Sequence, residues 1–340
     1  MSKNKNATIK DIAKALGISP STVSRALNNY SDINPQTKDK VMEMARKLNY
    51  TPNLFAKSLV TNKTKRIGLF IEDMEREGIY GTFYYEILAS FRKVAIDNGY
   101  EVVLLSTTSE EQKRIHLETI FSEKHLEGAF IMGLRTDDQY IKEIEEISYP
   151  IVLFDIPIKS QNIGYVSIDN QKGAQLAVDY LISLGHKKIG FLNGHDKAYV
   201  SQERLNGYIL SLLKNSIEYN KDFVINGDFA EESGYKNAEK FLEMKVTAIF
   251  AASDMMAIGL IKRFKELNVR IPEDISIIGF DDISLSSYIT PTLTTIRQDK
   301  TEIGRSAFYL LLNLMSKQPI NQIILEPELI KRESTKRRKH

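Results

Sequence analysis

The sequence predicts a small all-α head joined to a larger α/β body built on doubly wound parallel sheets, and three observations predict it. Residues 1–66 hold 13 Lys and Arg against 4 Asp and Glu, whereas residues 67–330 hold 27 against 39, so a cationic segment precedes an anionic one. The first 50 residues carry three apolar patterns at helical spacing, each opened by a capping residue. From Ile67 onward, short apolar runs alternate repeatedly with helical stretches, as in successive strand–helix–strand units. At 340 residues, with 42% hydrophobic and 26% charged residues, the chain is globular and too long for one ordinary domain.

Thr8 caps a first helix with Asp11 completing a capping box, and Ile9, Ile12, Ala13 and Leu16 form one face. Gly17 stops that helix. Ser19 and Pro20 supply the N-cap and first residue of a second, whose inward positions are Val23, Ala26 and Leu27. Ser21, Thr22, Ser24, Arg25 and Asn28 face outward. Asn34 and Pro35 open a third helix, packed through Val41, Met44, Ala45 and Leu48. Three short helices with a tight glycine turn between the first two make a helix-turn-helix head over residues 1–50. Short hydroxylated side chains around one long cation suit entry into a DNA major groove, where a guanidinium bonds a guanine edge bidentately. Spacing alone would also fit a plain three-helix bundle.

The motifs decide between these. Thr8-Ile9-Lys10-Asp11-Ile12-Ala13, Gly17-Ile18-Ser19, Thr22-Val23-Ser24-Arg25-Ala26-Leu27-Asn28, Leu48-Asn49-Tyr50, Pro52-Asn53 and Ala56-Lys57-Ser58-Leu59 closely resemble the head of the LacI/GalR (lactose-repressor) family of bacterial transcription regulators. The resemblance runs through most of the chain. It implies that positions 20, 21 and 25 read bases; Pro20 has no hydrogen bond to offer, which leaves Ser21 and Arg25. It implies phosphate contacts for Thr8, Ser19, Thr22, Ser24 and Asn28, which fix register without reading sequence. Residues 51–65 become a hinge. Its helix of about two turns is marginal in water by itself, and Asn53, Ala56 and Leu59 are expected at the DNA, Leu59 as a minor-groove wedge. Without the resemblance, ordinary packing onto the body is the favoured reading of Leu59.

In the body, strands are expected at residues 67–71, 102–105, 128–132, 151–154, 166–168, 189–192, 248–251 and 275–280. That is more than one sheet needs, so residues 66–340 are read as two lobes. The lobe boundaries rest on a similarity to periplasmic-binding-protein-like folds: lobe 1 spans about 66–165 and 295–326, and lobe 2 about 166–294 and 327–340. Open parallel sheets bind ligands beyond the carboxyl ends of their strands. Glu72, Asp73, Ser106, Arg135, Asp155, Asn193, His195, Ser253, Asp254, Asp281 and Asp282 fall there. Carboxylates accept strongly from hydroxyls, so this set suits a neutral polyol and suits a phosphate poorly. The family resemblance selects Asp155, Arg204 (in Glu203-Arg204-Leu205-Asn206-Gly207-Tyr208) and Asp281 as effector contacts. It places Ser253, also expected at the effector, where many members have Asn. Asp254 is read as capping the next helix and Asp282 the next loop. The segment after the first strand is longer than usual in the family and carries Tyr80, Phe83 and Tyr84; Asp73, Tyr80 and Phe83 are expected at the effector, with helix-face packing the other reading for Phe83 and Tyr84.

Other classes fall away. With 0 Cys there is no disulfide, thiolate metal site or cysteine nucleophile. There is no G-x-S-x-G elbow, phosphate loop or His-x-x-x-His pair, so no catalytic residue, metal or cofactor is expected. No run approaches the roughly 18 apolar residues of a membrane span, and the N-terminal residues lack a signal-peptide pattern, so a cytoplasmic location is expected. The expected partners are double-stranded operator DNA, a small-molecule effector of sugar type and a second copy of the chain. No heptad-rich segment follows Ser334, hence a dimer rather than a tetramer. A corepressor such as a purine or phosphorylated metabolite is the alternative to a sugar that releases DNA. A sugar-binding protein with no DNA role is a weaker alternative, opposed by the basic head.

Overall fold

The computed structural model describes residues 7–50, 64–72 and 83–338. Two compact units divide the chain, Met1–Thr64 and Lys65–His340.

In the head, α1 (Ile9–Leu16), α2 (Pro20–Leu27) and α3 (Pro35–Lys47) form where the caps predict. The Thr8 amide donates to the Asp11 carboxylate at 2.8 Å and the Asp11 amide to the Thr8 hydroxyl at 3.4 Å. Gly17 ends α1 at φ 65°, a left-handed conformation that only glycine adopts without steric cost. Ile12, Ala13, Val23, Ala26, Val41 and Ala45 form the core, with Met44 packed against it. Leu48 departs from expectation: it is the C-cap of α3 and 36% exposed.

The body runs β1 (Arg66–Glu72), α4 (Phe83–Asp97), β2 (Glu101–Thr107), α5 (Ser109–Gln112), α6 (Leu117–Lys124), β3 (Gly128–Met132), α7 (Gln139–Glu146), β4 (Ile151–Phe154), β5 (Ile163–Ile168) and α8 (Asn170–Ser183). It continues with β6 (Ile189–Asn193), α9 (Tyr199–Lys214), β7 (Val224–Asn226), α10 (Glu231–Glu243), β8 (Ala248–Ala251), α11 (Asp254–Glu266) and β9 (Ser276–Asp281). β10 (Thr294–Arg297), α12 (Lys300–Met315), β11 (Gln322–Leu325) and β12 (Glu328–Ile330) complete it. Sheet 1 has the order β11-β5-β4-β3-β1-β2, all parallel. Sheet 2 has the order β12-β10-β9-β8-β6-β7, parallel except for β12, which pairs antiparallel with β10.

Strand alternation buries both faces. Phe130 and Met132 of β3 join Ile87 and Phe91 of α4 and Phe308 of α12, while Ala129 and Ile131 join Phe121 of α6 and Ile144 of α7. In lobe 2, α10 and α11 approach through glycine: a Cβ on Gly234 would lie 2.0 Å from the Met256 carbonyl oxygen, and one on Gly259 1.9 Å from that of Glu231.

The chain crosses between the sheets later than the sequence suggests. All of β5 pairs in sheet 1, so residues 166–168 belong to lobe 1 rather than opening lobe 2. All of β10 pairs in sheet 2, so the return falls after Arg297, not near residue 294. The last crossing separates β11 from β12, at residues 326–327. The short strands β7, β10, β11 and β12 escape the apolar-run pattern because each has only three or four residues and at least one of them is polar.

Candidate effector cleft and DNA-reading face

The carboxyl ends of both sheets line one shared cavity. Lobe 1 contributes Phe83, Tyr84, Leu134, Phe154, Asp155 and Ile156, and lobe 2 contributes His195, Tyr199, Arg204, Phe229, Ser253, Asp281 and Gln298. Arg204, on α9 and 3% exposed, is its electrostatic centre. Its Nε donates to Asn170 Oδ1 at 2.9 Å and its Nη1 to the Ala252 carbonyl at 2.5 Å, and its guanidinium lies 3.8 Å from the Phe280 ring centroid. Such a planar, buried cation is held by its acceptors and by the ring face below it.

Two aspartates line the same cavity and feel this cation's charge. Asp155 follows β4 at φ 62° and accepts from the Ser167 hydroxyl at 2.5 Å. Burial pushes its carboxyl up to about 6, against the opposing pull of Ser167 and Arg204. Asp281 ends β9 at φ 119° and accepts from Gln298 Nε2 at 2.7 Å. Burial raises its carboxyl as well, with Arg204 opposing. Positive φ at non-glycine residues costs of order 1–3 kcal/mol each and persists where the surroundings over-determine it. At Asp281 and Asp282 the determining group is Lys300, 5% exposed, whose ammonium donates to both backbone carbonyls at 2.9 Å.

Several sequence expectations are revised here. Asp254 does not cap α11; Ser253 does, accepting from the Met256 amide at 3.2 Å and donating to the Phe229 carbonyl at 3.0 Å. The fully buried Asp254 instead accepts from the Ile283 amide, the Ser286 hydroxyl and the Thr295 hydroxyl at 2.9, 2.6 and 2.5 Å. Burial and the neighbouring Asp281 raise its carboxyl. Asp282 caps no loop either. It is clamped by Arg297 at 2.7 Å and Arg332 at 2.6 Å, and these two guanidinium hydrogen bonds bring its carboxyl below the usual range despite burial. Asn193 is taken up locally, donating to the Ser201 carbonyl and accepting from the Gly194 amide. Ser106 is exposed, and Arg135 pairs with Asp137 at 3.6 Å. Glu72 accepts from the Ser109 hydroxyl at 3.0 Å. Phe83 lines the cleft with its ring 6.0 Å from that of Phe154. Asp73 and Tyr80 lie outside the described residues, as do Asn53, Ala56 and Leu59. Sequence reasoning missed Gln298, Lys300 and Asn170. The one available signal was a lysine in the first turn of a helix, where the dipole disfavours it.

On the head, Pro20 and Ser21 are exposed at the start of α2. Ser19 links to the Ser21 and Thr22 hydroxyls at 2.6 and 2.8 Å, and Thr22 and Ser24 are half-buried. Asn28 donates to the Ser24 carbonyl at 2.9 Å. Arg25 is half exposed, ion-paired with Asp32 and 5.5 Å from the Tyr30 ring centroid.

Residues 8–53 match the family model for bacterial regulatory proteins of the lacI family, and residues 178–335 that of the periplasmic binding protein-like domain. The HTH-type transcriptional repressor PurR of Aliivibrio salmonicida (strain LFI1238) is 32% identical over 333 residues, covering 96% of this chain and 98% of that protein. The chain belongs to the LacI family. A structure of the lac repressor dimer bound to operator and the anti-inducer ONPF matches with a TM-score of 0.83 at 28% identity, covering 98% of this chain and 100% of that one. The complex of the transcriptional regulator CelR with cellobiose matches with a TM-score of 0.74 at 27% identity, covering 97% and 100%. This LacI-family chain is therefore a DNA-binding transcriptional repressor governed by a small-molecule effector, and its relatives are regulators rather than enzymes. Among the described residues, no helix is long and apolar enough to cross a membrane.

Proposed function

We propose that this chain acts in the cytoplasm as a homodimer on a pseudo-palindromic operator, by binding alone and without a cofactor, and that its effector is a neutral, hydroxyl-rich molecule of the sugar class. The observation that carries the effector class is the polar set of the cleft: one buried guanidinium and two carboxylates lining the same cavity, with the Gln298 amide on Asp281 and rings at Phe83, Phe154 and Phe229. Carboxylates take hydrogen bonds from hydroxyls, and ring faces cover the apolar faces of a pyranose. Two acids against one cation disfavour an anionic ligand. The cellobiose complex of the similar CelR supports the same class. In this reading Asp155, Arg204 and Asp281 hold ligand hydroxyls, Phe83 covers a sugar face, and Ser253 serves the cleft wall through its cap.

Ligand bridging the lobes shifts the relation between paired heads, a coupling of typically about 1–3 kcal/mol per linked site. A thermal-shift screen of mono- and disaccharides, followed by gel-shift titration with each hit, tests the reading and gives the sign of the switch. Stabilisation by none of them, with a phosphorylated metabolite active instead, would overturn the sugar assignment.

In the same reading Ser21 and Arg25 read bases, and Thr8, Ser19, Thr22, Ser24 and Asn28 contact phosphates. Arg25→Ala is expected to cost roughly 1–3 kcal/mol of operator affinity and to relax preference at one base pair. Competition binding against an operator substituted at each position measures both.

Protonation gives a separate check. Asp155 titrates near 6 when folded and near 4 when unfolded, so the folded chain binds this proton first. Its contribution to apo stability is present below about pH 4 and is lost as pH rises through 6. Ligand affinity runs the other way, because the ionised carboxylate is the stronger acceptor. Calorimetry should show binding several-fold weaker at pH 5 than at pH 7.5, and Asp155→Asn should flatten both trends.

A further inference from the structure

The end of sheet 2 opposite the cleft, where its strands begin, collects cations from three separate segments. Lys187 and Lys188 precede β6, Lys245 precedes β8, and Lys336, Arg337 and Arg338 follow β12; all six are exposed. Backbone and ring hydrogen bonds hold the three segments together. The Lys336 amide donates to the Ser276 hydroxyl at 3.1 Å, the Arg338 amide to the Leu184 carbonyl at 2.9 Å, and the Thr247 amide to the Lys188 carbonyl at 2.8 Å. The buried His186 ring pins the centre, with Nε2 3.1 Å from the Lys336 carbonyl and Nδ1 3.0 Å from the Thr247 hydroxyl.

Little acid answers this charge. Glu273 lies 3.8 Å from Lys336, and Asp274 is engaged by Arg270 at 2.7 Å. Glu243 is exposed two residues before Lys245. Among the described residues, Lys187, Lys188, Lys245, Arg337 and Arg338 have no ion-pair partner. The contrast with residues 67–330, 12 charges to the acidic side, is large. Like charges crowded on a tied-down surface repel one another, and a polyanion relieves that repulsion at small ordering cost because the backbone is already fixed.

We propose that this base of lobe 2 is a second nucleic-acid-binding surface, which grips the phosphate backbone of double-stranded DNA while the heads occupy the operator. Lys and Arg neutralise phosphates and release counterions, and the guanidinium forks of Arg337 and Arg338 match phosphate oxygens bidentately. The contact proposed is to phosphate oxygens, which carry no sequence information, so it is indifferent to sequence. The inference rests on the family's DNA binding and is independent of the effector assignment. The duplex gripped is either DNA flanking the operator or a separate molecule, and the two are distinguished by experiment.

The test uses the full chain bound to a saturating minimal operator on beads, challenged with a labelled non-operator duplex. Capture of the second duplex is expected at 50 mM salt and is expected to fall about a hundredfold by 200 mM, as about four phosphate contacts require. The combination of Lys187→Glu, Arg337→Glu and Arg338→Glu should abolish capture while leaving minimal-operator affinity unchanged. The milder pair Arg337→Gln and Arg338→Gln should reduce it at least several-fold and guards against misfolding. If the wild type captures no second duplex but binds a long-flanked operator more tightly than a minimal one, and the charge-reversed variant loses that advantage, the surface grips flanking DNA. Absence of both effects overturns the proposal. So does equal capture by the charge-reversed variant, or displacement of the duplex by poly-glutamate at lower charge concentration than by competitor DNA, which would point to an acidic protein.

Discussion

Arg204→Ala is expected to abolish the effector response and to destabilise the body by about 3–5 kcal/mol, because removing one partner of a buried charge set leaves the others uncompensated. The guanidinium satisfies Asn170 Oδ1 and the Ala252 carbonyl and opposes the upward shift of both Asp155 and Asp281. Without it, both carboxyls rise further and take up protons more readily, so the loss should shrink at pH 5. Urea unfolding at pH 5 and 7.5 measures this, and gel shifts measure the response. Operator binding without effector should persist, since the head carries its own core. A variant that still responds at the wild-type effector concentration would place the ligand elsewhere.

Gly259→Ala is expected to be nearly as damaging, at least about 3 kcal/mol, although it adds one methyl group. The added Cβ would lie 1.9 Å from the Glu231 carbonyl oxygen and 2.8 Å from the Tyr235 amide nitrogen, both backbone atoms of α10 that no rotamer change can move. Overpacking usually costs 1–3 kcal/mol when side chains can yield; here two helices must separate. Differential scanning calorimetry should show the transition of the body lowered by several degrees or lost. A Tm within a degree of wild type would mean that α10 and α11 pack less tightly than described.

These two sites also mark what the sequence makes legible. The head is readable because its determinants are local: Thr8, Ser19 and Asn34 cap within three residues, and Gly17 turns the chain by itself. The long strands are readable as buried apolar runs, and Asp155, Arg204 and Asp281 do share one cleft. Non-local partnerships are not readable. Asp254 looks like a cap because it begins a helix, yet its donors come from residues 283, 286 and 295. Lys300 looks like a surface residue until Asp281 and Asp282 turn their carbonyls toward it. Whether residues 166–168 or 294–297 belong to one sheet or the other is decided by hydrogen bonds to distant strands, which leave no trace in periodicity.

The order of strands within the sheets bears on how the protein is made. β11 forms an edge of sheet 1, β12 an edge of sheet 2, and α12 packs against α4. All three lie within the last 41 residues of the sequence. Synthesis from the N-terminus delivers a head that can close as soon as its three helices emerge, but leaves both lobes waiting for α12, β11 and β12 until residue 330 has been made. During that interval the apolar faces of Phe91 and Phe130, later covered by Phe308, lie open on the nascent chain. The interval of exposure therefore runs from the emergence of β3 to that of α12.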